Sequence, residues 1–125
     1  MRHGVKKLKF SNGVDANRAM VRKLALNFFL NGRLATTLSR AKAIKPVIER
    51  LIEKMKVRTE ANVNYLKHKL NNLEVIEIAY KDISPVISKI NGGYIRVIKL
   101  GQRESDGAEK ARIEWVYPII KQNKI

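Results

Sequence analysis

The stretch Arg33 to Val57, RLATTLSRAKAIKPVIERLIEKMKV, decides how this chain is organised. Its first six residues, RLATTL, are short and carry two β-branched threonines, which suits a strand. From Ser39 the rhythm changes. Ala41, Ile44, Ile48, Leu51, Ile52 and Met55 recur at three- and four-residue spacing, the signature of one helical face over about 39–57. Ser39 can cap that helix, and Pro46 inside it predicts a kink or a restart. A strand running straight into an amphipathic helix implies sheet and helices around one core.

The charges in this stretch carry a second message. Arg40, Lys42 and Lys45 crowd the first turns of the helix, where cations oppose the helix dipole at roughly a few tenths of a kcal/mol each. A sequence shaped for stability alone would place acids there. An external anion is a compensation that fits, and the free N–H groups of the helix start can bind one as well.

Upstream, Asp15 is a candidate N-cap for a helix to about Asn31. Ala16, Met20, Leu24 and Phe28 recur every four residues, and Ala19, Leu26 and Leu30 widen the apolar surface, so this is expected to be the central core helix. Phe28 and Phe29 read as packing residues. Asn31-Gly32 ends the helix. Met1 to Gly13 has no apolar period and carries Arg2, His3, Lys6, Lys7 and Lys9. It reads either as a frayed terminus or, in this basic context, as an arm that orders on a polyanion.

Downstream, Thr59 is expected to cap a helix to Leu70, with Val63, Leu66 and Leu70 inward. Asn71-Asn72 breaks it. Leu73, Ile76, Tyr80 and Ile83 fit a further helical stripe, while Val75, Ile76 and Ile78 also suit a strand. Ser84-Pro85 is expected to end that segment, with a short helical turn over 86–90. Asn91-Gly92-Gly93 marks a turn. Tyr94 to Leu100 and Ala111 to Tyr117 read as the two strands of a hairpin whose loop is 101–110. Ala111, Ile113, Trp115 and Tyr117 share one face of the second strand, and Arg112 and Glu114 the other. The expected fold is α+β: a three-stranded sheet packed against several helices, with a basic N-terminal arm. By extent this gives an arm over 1–13, a single domain over 14–117 and a flexible C-terminal tail over 118–125.

Composition narrows function. The 125 residues carry 26 Lys/Arg against 11 Asp/Glu, a net charge of +15. The excess is lopsided: Met1 to Arg58 holds 15 basic and 3 acidic residues, and the remainder 11 and 8. A body with this surplus repels itself, and nucleic acid is the commonest partner that relieves it. Absence of cysteine excludes disulfides and thiolate metal sites. No run reaches the roughly 20 apolar residues of a membrane span, and the N-terminus lacks a signal-type hydrophobic region. A soluble, cytoplasmic protein, or its counterpart inside an organelle, is expected.

Catalytic chemistry has no foothold in the sequence. His3 and His68 lie on different elements, short of a metal cluster. Phosphate-loop, dinucleotide and nucleophile-elbow motifs are missing. Glu49/Glu53 and Glu74/Glu77 sit at helical spacing beside cations and read as solvated faces. Neither a cofactor nor a small-molecule substrate is expected.

Phosphate contacts are assigned instead to the arm (Arg2, His3, Lys6, Lys7, Lys9), to one ridge of the first helix (Arg18, Arg22, Lys23) and to the strand–helix segment (Arg33, Arg40, Lys42, Lys45). The hydroxyls of Thr36, Thr37 and Ser39 can add hydrogen bonds. Arg96, Lys99 and Arg103 in the hairpin are expected to form a second, weaker patch. Aromatic-rich strand motifs of single-strand RNA binders are absent, which favours folded RNA recognised by shape and backbone.

These strings together resemble a family. MRH at Met1, NRAM at Asn17 to Met20, GRLATTLSRAKAIKP at Gly32 to Pro46 and GGYIRVIKLGQRESDGAEKARIEWV at Gly92 to Val116 look like the ordered motifs of bacterial large-subunit ribosomal protein seventeen. Departures fall at Lys9-Phe10, Asn17 and Ile95, where the family usually has glycine-arginine, histidine and threonine. The resemblance implies a structural component of the large ribosomal subunit that contacts 23S-type ribosomal RNA, beside neighbouring proteins near the peptide exit tunnel. A nucleoid-type DNA-binding protein is the alternative. It shares the charge but calls for a groove-reading helix and dimer symmetry. An RNA-acting enzyme or assembly factor would need a pocket of convergent polar groups.

Overall fold

The structure, a computed structural model, describes residues 14–117 and 119. The expected arm, and the expected tail apart from Ile119, lie outside the described residues. In chain order the elements are α1 (Val14–Asn31), β1 (Arg33–Thr37), α2 (Leu38–Met55), α3 (Glu60–Leu70), α4 (Leu73–Ile78), a π-helical turn (Ala79–Ile83), α5 (Ser84–Ile87), β2 (Ile95–Gln102) and β3 (Glu109–Trp115).

The expected α+β architecture is present. The sheet is antiparallel in the order β1-β3-β2, so the second strand of the hairpin takes the centre. Arg33 stands opposite Glu114 and Ala35 opposite Arg112, while Ile95 stands opposite Trp115 and Ile98 opposite Arg112. Alternation then sorts the side chains. Leu34, Ile95, Ala111, Ile113 and Trp115 are buried on the helix side. Arg33, Ala35, Arg96, Ile98, Lys110, Arg112 and Glu114 share the opposite face, which no described element covers.

The helix at the centre is α2. All six stripe residues, Ala41, Ile44, Ile48, Leu51, Ile52 and Met55, are buried, and α2 packs against all three strands as well as α1 and α3. The expectation that α1 holds this place is not met. Its apolar residues are spread around the helix, so among the residues whose burial is described Ala25, Phe28 and Phe29 are buried, Met20, Leu24, Leu26 and Leu30 are half-buried, and Ala19 is exposed. Phe28 and Phe29 do pack, with ring centroids 5.0 and 6.3 Å from the Trp115 indole. This aromatic cluster locks α1 to the central strand.

Several local expectations shift. α1 takes in Asp15 as its second residue; an acid in the first turn suits the dipole as a cap would, and the side chains of Asp15 and Ala16 are outside the description. Thr37, not Ser39, caps α2: its extended backbone ends β1, and its hydroxyl oxygen accepts from the Arg40 N–H at 3.4 Å. Leu38, expected at the end of the strand, is therefore the first residue of the helix. Pro46 does not restart the helix. Pro46 and Lys42 both lie exposed, so water can take the carbonyl that loses its N–H partner.

Thr59 caps α3 as expected, accepting from Asn62 N–H at 3.1 Å. The asparagine pair has two jobs. Asn71 turns left-handed (φ 50°) to close α3, and the Asn72 carboxamide accepts from Val75 N–H at 3.1 Å to open α4. The ambiguous segment that follows is helical. Ile76 and Ile83 are buried as the stripe requires, but Leu73 is 67% exposed because it is the first helical residue and precedes the packed turn. Ser84-Pro85 starts α5 instead of ending the segment; proline near a helix start gives up an N–H that has no intrahelical partner. The carbonyls at the end of α2 are satisfied from this layer: the Tyr80 hydroxyl donates to Lys54 O at 3.2 Å and the Ser84 hydroxyl to Lys56 O at 3.0 Å.

Towards the loop the hairpin strands run further than expected, leaving a loop of 103–108, while at the other end β2 starts at Ile95 and β3 stops at Trp115. Gly101, at φ +99°, absorbs a bulge in which Leu100 is the extra residue. That bulge lets pairing resume at Gly101 opposite Lys110. Tyr117 lies beyond β3 and is exposed, so it does not share the inner face with Trp115.

Candidate nucleic-acid interface

Among the described residues, the first-half cations singled out above lie on α1 (Arg18, Arg22, Lys23), on β1 (Arg33) and at the start of α2 (Arg40, Lys42, Lys45). At the start of α2, Arg40 is the third helical residue, Lys42 the fifth and Lys45 the eighth. Only Arg40 therefore lies within the first turn, where the dipole acts. Lys45 is occupied, with Nζ 3.7 Å from Glu49 Oε1. Arg40 and Lys42 are exposed and have no carboxylate in ion-pair range among the described residues. Ser39 beside them is exposed, and Thr37, though it accepts from Arg40 N–H, keeps its own O–H to donate. Thr36 sits on the inner side of the sheet opposite Ala111 and is half-buried. Arg33, at the far end of β1, is exposed on the open sheet face.

Arg18 is 13 residues from the end of α1, about 20 Å along the helix. Arg18, Arg22 and Lys23 are all exposed. Arg22 serves the fold directly. Its Nε donates to the Lys69 carbonyl at 3.0 Å, capping the last turn of α3. Nearby, two ammonium groups approach the Tyr65 ring, Lys54 at 5.3 Å and Lys69 at 5.7 Å from its centroid.

The hairpin cations are not gathered into one patch. Arg96 faces the open side, while Lys99 stands opposite Ala111 on the inner side of the strand. Arg103 is at the loop, its Nε 3.0 Å from Asp106 Oδ1. The hydrogen bonds from Arg103 and from the Ala108 N–H hold the Asp106 carboxyl down at about 2. Arg2, His3, Lys6, Lys7 and Lys9 lie outside the described residues.

Three polar residues near the open sheet face were not assigned to phosphate contact from the sequence: Asn31, Lys110 and Arg112. The alternation of β3 placed Arg112 outward, but its closeness to Arg33 depends on β1 pairing with β3, a contact that no local pattern announces. Among the described residues no three metal-ligating side chains converge, and no helix is long and apolar enough to cross a membrane.

Comparison with known proteins decides the family. The sequence profile described as "Ribosomal protein L17" matches residues 20–116. This chain belongs to the ribosomal protein L17 family. It is similar to the "Large ribosomal subunit protein bL17" of Akkermansia muciniphila, 37% identical over 116 residues that cover 93% of this chain and 85% of the relative. The proteins of the same name from Sulfurihydrogenibium sp. and Persephonella marina are 38% and 36% identical. Those alignments cover 94% and 93% of this chain, and 99% and 95% of the relatives. The family match spans α2 and the whole sheet, the elements that carry Arg33, Arg40, Lys42 and Arg112.

Proposed function

We propose that this protein is a structural constituent of the large ribosomal subunit, binding 23S-type ribosomal RNA through phosphate and shape contacts. Family membership carries the reading. The exposed, unpaired cations Arg33, Arg40 and Lys42 support it, because they lie where the family match is and where the fold itself gains nothing from positive charge. The arm residues Arg2, His3, Lys6, Lys7 and Lys9, with Arg18, Lys23 and the hydroxyls of Thr37 and Ser39, extend the contact, and Arg96 and Arg103 add to it from the hairpin. The proposed setting is the ribosome of a bacterial cytoplasm or of an organelle, near the peptide exit tunnel and beside other large-subunit proteins. The role is one of holding RNA, not of catalysis.

The test is sedimentation of the tagged full chain from a low-salt lysate. Co-migration with large subunits is the expected result, and a chain found wholly at the top of the gradient overturns the reading. Binding to isolated large-subunit RNA should fall roughly 10³–10⁵-fold between 50 and 200 mM salt if about six to ten phosphates are neutralised. Equal or tighter binding to duplex DNA would favour the nucleoid alternative.

A further inference from the structure

Two shallow depressions open on the uncovered side of the sheet, and Asn31, Arg33 and Arg112 border both of them. One continues to Ala35 and Leu100, the other to Glu114, Trp115 and Ile119. The charge around them is uneven. Arg33, Arg96, Lys110 and Arg112 face this side, with Glu114 as the acid among them. Both oxygens of Glu114 are already engaged: Oε2 by Arg96 at 3.2 Å, Oε1 by Arg112 at 3.1 Å. Arg33 stands opposite Glu114 in the strand register, yet no ion pair forms between them. The sheet face therefore keeps a cationic surplus at its concave part, centred on a guanidinium with no acid of its own.

Arg33 and Arg112 are diagonal neighbours across β1 and β3, since Arg112 is opposite Ala35. Diagonal Cβ atoms lie about 7–8 Å apart, within which two long guanidinium side chains can grip one phosphodiester or two consecutive ones. Planar forked donors suit phosphate oxygens in a way that a lysine does not. Ala35, Ile98 and the bulged Leu100, 43% exposed, supply a low apolar floor beside the cations. A sugar edge can lie on such a floor, whereas a protein partner would have to bring acids to match it.

We propose that the open sheet face is a second RNA-binding surface, separate from the α2 start, with Arg33, Arg112 and Asn31 seating the phosphodiester backbone of folded RNA. Glu114 splays Arg96 and Arg112 and holds them in place without consuming the surplus. This inference rests on the RNA-binding reading above. It adds Arg112, Lys110 and Asn31 to the interface and gives Arg33 a different ligand from Arg40.

The full chain carrying Arg33→Gln and Arg112→Gln should be titrated with isolated large-subunit RNA across 50–200 mM salt, beside Lys81→Gln/Lys89→Gln as a control. Loss of two phosphate contacts reduces the slope of log K against log salt by about 1.4–1.8, which is about 15- to 30-fold in affinity at 0.15 M. If wild type binds and the double variant keeps its affinity and slope, the sheet-face site is wrong while the RNA-binding reading stands. If wild type itself does not bind, that reading is what fails. A second measurement needs no charge change: benzoylphenylalanine placed at Ala35 in cells, followed by irradiation of purified subunits. A ribonuclease-sensitive adduct supports the proposal. An adduct to another ribosomal protein, or no adduct in particles that contain the chain, overturns it.

Discussion

Replacing Arg40 and Lys42 by glutamine should move stability and binding in opposite directions. Arg40 is the third residue of α2, close to the positive end of the dipole. Its backbone N–H, not its side chain, takes part in the cap with Thr37, so the substitution leaves the cap intact. Removing the cation should stabilise the free protein by about 0.3–1 kcal/mol. Lys42, in the second turn, adds little. For a folded region of roughly 100 residues, half a kcal/mol is about 2–4 °C in Tm. Binding should change the other way. Each phosphate contact contributes about 0.7–0.9 to the salt slope, worth roughly four- to sixfold in affinity at 0.15 M. Losing two should weaken RNA binding about 15- to 30-fold. Differential scanning calorimetry of the free protein and filter binding with large-subunit RNA read the two signs. A variant that melts lower and binds RNA as well as wild type would refute the reasoning, because those cations would then serve the fold.

Other residues test the architecture. Phe28→Ala removes a fully buried ring from the Trp115 cluster and should cost about 3–5 kcal/mol, seen as a large fall in the denaturant midpoint with Trp115 fluorescence as reporter. Thr59→Ala removes the acceptor for Asn62 N–H and should cost about 1 kcal/mol, a loss that Thr59→Ser largely restores. At the hairpin loop, the Asp106 carboxyl should titrate at about 2 by NMR, and Arg103→Gln should return it towards 3.8, the ordinary value for the group. Because the folded-state value is depressed, the pair's contribution is complete above about pH 4 and disappears as pH falls towards 2. The site is solvent-exposed, so the hairpin, not the whole fold, registers the change.

What the sequence revealed and what it hid follow from range. The α2 stripe was readable residue by residue because helical periodicity is a local property, and all six residues are buried. Thr59 and Asn71-Asn72 were readable for the same reason, since caps act over three residues. The choice of central helix was not readable. α1 is as rich in apolar residues as α2, and only the docking of α2 across three strands ranks them. Leu73 looked inward from its spacing but lies ahead of the turn that packs. The surface followed the same division. Arg40 and Lys42 stood out because their position on a helix start is local. Arg112 stayed hidden because its neighbour Arg33 comes from a strand at the other end of the chain.

The position of the ionisable groups links these observations. Among the described residues the buried charged or polar side chain is Asp82, in the π-helical turn; none of the described basic side chains named in the interface is buried. The apolar core that orders the chain, from Phe28 through α2 to Trp115, thus contains none of these cations. In the hairpin, acids answer three of the arginines: Glu114 engages Arg96 and Arg112, and Asp106 engages Arg103. In the first half Arg18, Lys23, Arg33, Arg40 and Lys42 have no such acid among the described residues. Self-repulsion at net +15 lowers the stability of the compact state, and a stable fold could be kept with acids interleaved, as β3 shows. A surplus that the core does not hold and the free protein does not neutralise is what the proposed polyanion on that surface would account for. Screening by salt should therefore raise the stability of the free chain while weakening the proposed hold on RNA.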